Sequence, residues 1–401
     1  MLMSRLAVAA VIALIAADRV SAQQMEAFEE RTAPGWVMTP SVALGVGFDD
    51  NPLLSTTGNP KPDDTITAVS PALDVAFTGK HTSLNLGYNG SLVRYRVLEE
   101  NDSYDQGAHA ELRQQVSRRV GLSFRNAYTV SPTTDTLQFA GVPFFRLGTR
   151  QNAFSADTTI QATRGLELKG SYRFQWLEFD RPFEATAPPL DGGTAHGVSL
   201  VALHAISPRV SVGGGYTYLR ALVGDDEEVF GTQDGEAAIA VQLSPTVALD
   251  AGAGFSRLAL PDSLGTRIGP AARIALSKRT EHALFSLSAM RSFVPAWGFG
   301  GSFRNSEITG TIRVPFRGTR GFVRGGVSLR DTQPVLETEL DITSLWLETA
   351  VGYALQRWLR LEAFYNGAFQ DISPIAGGTD SRIDRNRVGV RIVTMRPVRI
   401  Q

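Results

Sequence analysis

Apolar and polar residues alternate along most of this chain, in runs joined in pairs by short basic turns. In the clearest run, residues 166–176, Leu168, Tyr172 and Trp176 fall on one face. Lys169 and Arg173 fall on the other face of the same run. Alternation with a period of two predicts β-strands that each have one apolar and one polar face.

The short turns recur roughly every 40 residues, and longer segments rich in Gly, Pro, Asp and Asn lie between the pairs. The turns centre on Lys80, Arg118, Arg164, Pro208, Pro245, Lys278, Arg317 and Arg357. The predicted strands cover residues 39–48, 65–79, 82–95, 104–117, 120–131, 149–163, 165–179, 194–206, 209–222, 229–243, 246–258, 265–277, 282–293, 301–313, 320–330, 341–355, 358–370 and 382–396.

The lengths and order of these strands favour a membrane barrel. A tilted strand needs about 9–11 residues to cross a bilayer, and every predicted strand reaches about that length. An even number of strands, joined alternately by tight turns and long loops, is typical of outer-membrane barrels. We therefore predict an all-β fold, a transmembrane antiparallel up-and-down β-barrel of about 18 strands, with the short turns at the periplasmic rim.

A β-propeller is the main alternative architecture, because its blades repeat with a similar period. A blade, however, packs four short strands into that length, whereas each period here holds two long ones. The chain also contains no Trp-Asp dipeptide, and one whole face of most strands is polar. The pattern therefore favours the barrel.

The N-terminus resembles an export signal. Residues 1–5 are short and positively charged, residues 6–17 are apolar, and Val20-Ser21-Ala22 supplies small residues for cleavage. An uncleaved membrane anchor fits this segment less well. Its apolar run is shorter than the ~20 residues that a spanning helix needs, and Asp18 and Arg19 interrupt it. The predicted organisation is a signal peptide over 1–22, a short periplasmic segment over 23–38 and an outer-membrane barrel over 39–401.

Composition narrows the chemistry that the chain can support. It has no Cys, so it forms neither disulfides nor thiolate metal sites, and its net charge of −1 gives no reason to expect a nucleic-acid partner. The histidines are His81, His109, His196, His204 and His282. None has a Ser or Asp at a recognisable catalytic spacing, so we predict that the protein is not an enzyme and has no catalytic, cofactor-binding or metal residues.

The polar strand faces supply the candidate functional residues. The predicted lumen-lining residues are Arg113, Arg125, Glu167, Lys169, Arg173, Arg324, Arg330, Glu348, Arg360, Glu362, Arg387 and Arg391. A lumen wall that carries both positive and negative side chains, but more Arg than Glu, would favour the passage of anions or polyhydroxylated solutes. The alternative is that these residues form ion pairs that neutralise one another and hold the barrel open.

One long loop has an unusual composition. Residues 131–147 contain Phe139, Phe144 and Phe145, which are too apolar for an ordinary external loop. We predict that this loop folds inward as a constriction of a barrel wide enough to leave a channel. The alternatives are that the Phe residues cap the barrel mouth or lie at the lipid interface.

Other long loops carry acidic clusters, at residues 49–52, 99–102, 225–228 and 337–341. Ordinary solvation explains them, and so would divalent ions shared with lipopolysaccharide phosphates. The expected partners are outer-membrane lipid, lipopolysaccharide and the barrel-assembly machinery. The oligomeric state cannot be predicted from the pattern.

Three features of the chain are shared with one family: the export signal, the segment Gly45-Val46-Gly47-Phe48-Asp49-Asp50-Asn51-Pro52, and the hairpin motifs Leu86-Gly87-Tyr88 and Gly215-Tyr216-Thr217-Tyr218. Through them the chain resembles the proteobacterial outer-membrane β-barrel porins of type 2. The resemblance implies a Gram-negative outer-membrane location and a passive channel. It also implies two alternatives, an exopolysaccharide export component with periplasmic partners and a closed structural or adhesion barrel.

The C-terminus departs from the usual ending of such barrels. The last strand of such barrels commonly finishes in an aromatic residue. Residues 395–401 of this chain contain no aromatic residue and include Pro397. Because Pro cannot donate a ladder hydrogen bond, we expect the last strand to end near Met395.

Overall fold

The computed structural model describes residues 34–56, 58–134, 144, 146–180, 190, 192–224, 228–259, 265–280, 283–297, 302–316, 320–335, 340–374 and 380–400. The predicted signal peptide, Phe139, Phe145 and His282 lie outside these residues, as does the predicted periplasmic segment up to residue 33. No helix in the described ranges is long and apolar enough to cross a membrane.

The alternating runs form long strands. The first nine are β1 (Gly35–Asp49), β2 (Asp64–Thr78), β3 (Thr82–Tyr95), β4 (Ser103–Ser117), β5 (Val120–Ser131), β6 (Thr149–Gln161), β7 (Leu166–Phe179), β8 (Gly193–Ser207) and β9 (Val210–Val223). The others are β10 (Glu228–Ser244), β11 (Val247–Ala259), β12 (Thr266–Arg279), β13 (Leu284–Pro295), β14 (Ser302–Phe316), β15 (Gly321–Pro334), β16 (Leu340–Gln356), β17 (Leu359–Pro374), β18 (Ser381–Met395) and β19 (Val398–Ile400). A single 3₁₀ turn, Glu99–Asn101, lies between β3 and β4.

Consecutive strands from β1 to β18 pair antiparallel, and β1 also pairs with β18. That last ladder runs from Ser41 opposite Met395 to Asp49 opposite Arg387, so the sheet closes on itself. The predicted architecture, an antiparallel up-and-down barrel of 18 strands, is confirmed. We call its two ends the short-turn rim and the long-loop rim.

The ends of the chain differ from the expectation. β1 begins at Gly35, so residues 35–38 of the predicted periplasmic segment already belong to the barrel wall. β18 ends at Met395, as expected from Pro397, but pairing resumes in β19 with Trp36–Met38 of β1. Ser41 opposite Met395 and Met38 opposite Val398 share one register, so Pro397 interrupts the ladder without shifting it.

The two faces of the wall differ as the alternation predicts. On β1 and β18, Leu44, Val46, Val388 and Val390 are exposed, with Leu44 at 56%. Residues directly opposite across a ladder share a face, so the register extends this apolar outer face around the barrel. Charged and small residues occupy the inner face, which therefore carries any chemistry of the lumen.

Bulges recur at the short-turn rim. The ladders shift at Gln115/Ser117, Ala205/Ser207, Gln242/Ser244 and Ala354/Gln356, each just before a two-residue turn. An extra residue at this place increases local twist, which suits a hairpin at a barrel rim. The repeated basic turns of the sequence are thus one structural motif used several times.

Candidate functional site

All twelve predicted lumen-lining residues lie on the strand face opposite to the exposed apolar rows. The β5–β6 loop shows that this face is the interior, because its Phe144 crosses to β17. The backbone N–H of Phe144 donates to Oε1 of Gln370, which shares a face with Glu362. Because side chains alternate between the two faces of each strand, the twelve residues lie on one continuous inner surface.

The strongest cluster of charges on that surface centres on Glu362. Its carboxylate is 1% exposed and lies 2.6 Å from the guanidinium groups of both Arg360 and Arg391. Arg324 lies 3.5 Å from Glu348 on the neighbouring strand pair. The carboxylate is thus covered, while Arg391 remains 34% exposed toward the lumen.

Aromatic rings hold these arginines in place. The guanidinium carbons of Arg313 and Arg360 lie 5.3 and 5.4 Å from the Phe322 ring centroid, and that of Arg391 lies 5.9 Å from Phe364. A cation over a ring face is attracted by the negative charge of that face. The Phe322 ring lies where a Cβ on Gly352 would be, so glycine makes the room for this stacking.

More arginine surrounds this cluster. Arg330 lies 3.2 Å from Glu307, and Arg387 lies 2.8 Å from Asp49. The inward arginines of β14 to β18 are Arg313, Arg324, Arg330, Arg360, Arg385, Arg387 and Arg391, and the inward glutamates of these strands are Glu307, Glu348 and Glu362. We call these seven arginines the arginine wall.

The remaining candidates lie on the other side of the barrel, on β4 to β7. Arg113 and Arg125 lie 2.6 and 3.3 Å from Glu111, and Lys169 lies 3.0 Å from Glu167. Arg173 is exposed and lies opposite Ser155 and Gly197. Here the two signs balance more closely than on the arginine wall.

The described part of the β5–β6 loop that includes Phe144 and Arg146 lies in the mouth at the long-loop rim. Phe144 is 5% exposed and packs against Leu54, Ala368 and Ile383. Arg146 donates at 2.8 Å to the carbonyls of Pro52 and Asn101, which anchors the loop to two neighbouring loops. Phe144 therefore lies inside the barrel, whereas the other two predicted constriction residues are outside the described residues.

The residues just after β13, which the sequence analysis did not single out, lie inward on the opposite side of the mouth. Trp297 follows β13 and is 2% exposed. It packs in a cluster at the long-loop rim that we call the mouth cluster. The cluster includes Leu177, Ala221, Val223, Phe230, Leu258 and Phe293. The apolar segment Pro295-Ala296-Trp297 was the available signal, of the same kind that identified the β5–β6 loop.

A buried ion-pair network closes the barrel seam near the same rim. Arg385, 1% exposed, donates to Asp49 with Nε at 3.1 Å and a terminal nitrogen at 2.6 Å. Asp50 accepts from the backbone and side chain of Asn386 at 2.6 and 2.7 Å. These two acids, predicted as part of an external acidic cluster, instead join β1 to β18.

The histidines are dispersed. His109 faces inward near Asn85 and Asp74, and His196 faces outward, where its Nδ1 lies 2.8 Å from the Tyr172 hydroxyl. Within the described residues no group of three or more His, Asp or Glu could hold a metal ion.

Comparison with known proteins gives one family match. Residues 31–166, which include β1 to β6, match the model of a family described as putative beta-barrel porin 2. No curated protein matches the chain.

Solved structures were also compared. Pseudomonas aeruginosa OpdO is 13% identical with a TM-score of 0.44, over 91% of this chain and 98% of that one. Pseudomonas aeruginosa OccK2 is 14% identical with a TM-score of 0.43, over 90% of this chain and 98% of that one. Acinetobacter baumannii OccAB2 is 11% identical with a TM-score of 0.42, over 91% of this chain and 98% of that one. The family resemblance that the sequence predicted is thus confirmed by the match to the putative beta-barrel porin family over residues 31–166.

Proposed function

We propose that the protein is a channel of the bacterial outer membrane, through which small solutes diffuse passively, with a preference for anions. The observation that carries this proposal is the arginine wall, whose seven arginines face four inward acids, Glu307, Glu348, Glu362 and Asp49. The porin family match and the apolar outer face support the membrane location.

The surface that faces the lumen is positively charged at two of the ion pairs, because the arginine of each pair is more exposed than its carboxylate partner. Glu362 is 1% exposed beneath Arg391, and Asp49 is 0% exposed beneath Arg387, which is 22% exposed. At these two pairs a solute in the lumen therefore meets the guanidinium group before its partner carboxylate, whereas Arg330 and Glu307 are almost equally exposed, at 14% and 17%. Rings of Arg and Lys are the usual means by which pores select anions.

Replacing both Arg324 and Arg330 by Ala is expected to move ion selectivity toward cations. The change removes two positive charges from β15 and leaves Glu348 and Glu307 on the wall. The measurement is the reversal potential of single channels in a planar bilayer under a salt gradient. The salt concentrations should be low, because at 0.1 M screening already limits the field of a charge to about 10 Å.

The matched control replaces the same two arginines by Lys, which keeps both charges and should keep the anion preference. An unchanged reversal potential in the folded Arg324/Arg330 double Ala variant would contradict the role of the arginine wall.

A closed structural or adhesion barrel is the second candidate, favoured by two aromatic side chains that lie in the mouth. Phe144 and Trp297 are both buried there, against opposite sides of the wall. A folded barrel that never conducts would support this candidate. Polymer export stays a prediction, and so does contact with lipopolysaccharide and the assembly machinery.

A further inference from the structure

The barrel wall has a gap between β12 and β13 at the long-loop rim. The ladder between these strands starts at Arg279 opposite Leu284 and stops at Ala272 opposite Arg291. Beyond it, residues 266–271 pair with β11 alone and residues 292–295 pair with β14 alone. Pro270, which has no N–H to donate, lies in this unpaired part.

The gap exists because the end of β13 bends into the lumen. Phe293 would point outward by strict alternation, yet it is buried in the mouth cluster together with Trp297. A Cβ on Gly269 would lie only 2.9 Å from Cζ of the Phe293 ring, so this glycine lets the ring lie against β12. The inner side of the gap is therefore apolar.

The outer side of the gap is unusually exposed. Ile268 is 72% exposed and Phe255, on the neighbouring β11, is 70% exposed. Leu200, Leu44 and Val390 of the fully paired wall are less exposed, at 62%, 56% and 47%. Non-helical backbone within a membrane is tolerated where it is covered by protein or lines a cavity, so an unpaired strand edge here indicates an opening.

Arginines surround this opening. Arg257 and Arg291 lie on the outer face beside it, Arg267 lies on the inner face, and all three are exposed. Positive side chains on a lipid face are costly near the bilayer midplane and much less so at the interface. Their position at the rim suits the capture of an anionic head group.

We propose that this gap is a lateral portal, through which a free single-chain amphiphile with a carboxylate head, such as a fatty acid, passes between the outer leaflet and the lumen. The acyl chain occupies the space beside the mouth cluster, and the carboxylate is held by the arginines at the rim. This role goes beyond the proposed channel, since it adds a second route for a different class of solute.

The test uses Trp297 as a reporter in vesicles of unmodified phospholipid. Trp36, Trp176, Trp346 and Trp358 are replaced by Phe, and a fatty acid brominated on its acyl chain is added as a quencher. The portal predicts strong quenching of Trp297. A matched variant that keeps only Trp346, on the inner face of β16, should be quenched much less.

Closing the gap makes the test specific. Ala271→Cys with Ser292→Cys places thiols across the gap, just beyond the last pair of the β12–β13 ladder, and a short bifunctional thiol reagent then bridges them. The bridge should abolish quenching of Trp297, whereas the unbridged form of the same variant should keep it. Ala275→Cys with Ser288→Cys, already opposite each other in the ladder, provides a bridge that should change nothing.

Each outcome decides the proposal. Equal quenching with and without the bridge, or quenching of Trp297 no greater than that of Trp346, would overturn the portal. If the single-Trp chain does not fold, the same comparison is made between the intact chain and Trp297→Phe. Ion conductance of the same preparations separates the two claims, because a conducting barrel without quenching refutes the portal and leaves the channel intact.

Discussion

Replacing Asp49 by Ala is expected to destabilise the barrel by about 3–5 kcal/mol, because it leaves a buried charge without its partner. Arg385 is 1% exposed and would lose a carboxylate that it contacts through two nitrogens. Arg387 loses the same partner. Because this network joins β1 to β18, the loss falls on the ladder that closes the barrel, and it should appear as a lower midpoint of urea unfolding.

The control is Arg382→Ala on β18, whose ion-pair partner Asp371 lies on the neighbouring β17. Arg382 lies 3.8 Å from Asp371, and both side chains are at least 60% exposed. An exposed pair contributes about 0–1 kcal/mol, so this variant should unfold almost as the unmodified chain does. If the midpoint of urea unfolding falls equally in the two variants, burial is not the reason that the Asp49 network stabilises the barrel.

Replacing Trp297 by Ala is expected to raise single-channel conductance. Removing a buried Trp side chain costs about 3–5 kcal/mol, and here the cost falls on the contacts that hold Trp297 in the mouth cluster. The end of β13 should then lie in the lumen for less of the time, which leaves more room for ions at the long-loop rim. Conductance in planar bilayers measures this directly.

Trp358→Ala is the matched control, because this Trp is 53% exposed and lies at the short-turn rim. Its conductance should equal that of the unmodified barrel. If Trp297→Ala leaves conductance unchanged while the protein remains folded, the inward end of β13 does not limit the flow of ions.

The barrel was predictable because its pattern is local. Side chains alternate between the two faces of a strand. Once each strand was located, this alternation was enough to predict that Arg324, Glu348 and Arg391 share the face opposite to the apolar rows. Closure into 18 strands followed from strand number and from the alternation of short and long connections.

What the sequence did not reveal depends on contacts between distant segments. Asp49 and Arg385 are 336 positions apart, and nothing local distinguishes Asp49 from an external acidic residue. β19 was missed because Pro397 normally ends pairing, although the register continues beyond it. The gap beside β12 accompanies the packing of Phe293 and Trp297 against residues of β7 to β11, which no local pattern encodes.

The most direct test of the account is the conductance of the folded protein in a planar bilayer with a salt gradient across it. The account predicts steady open steps and a reversal potential on the anion side, because Arg391 and Arg387 cover the carboxylates of Glu362 and Asp49. A folded barrel that stays silent, or one whose reversal potential favours cations, would contradict it.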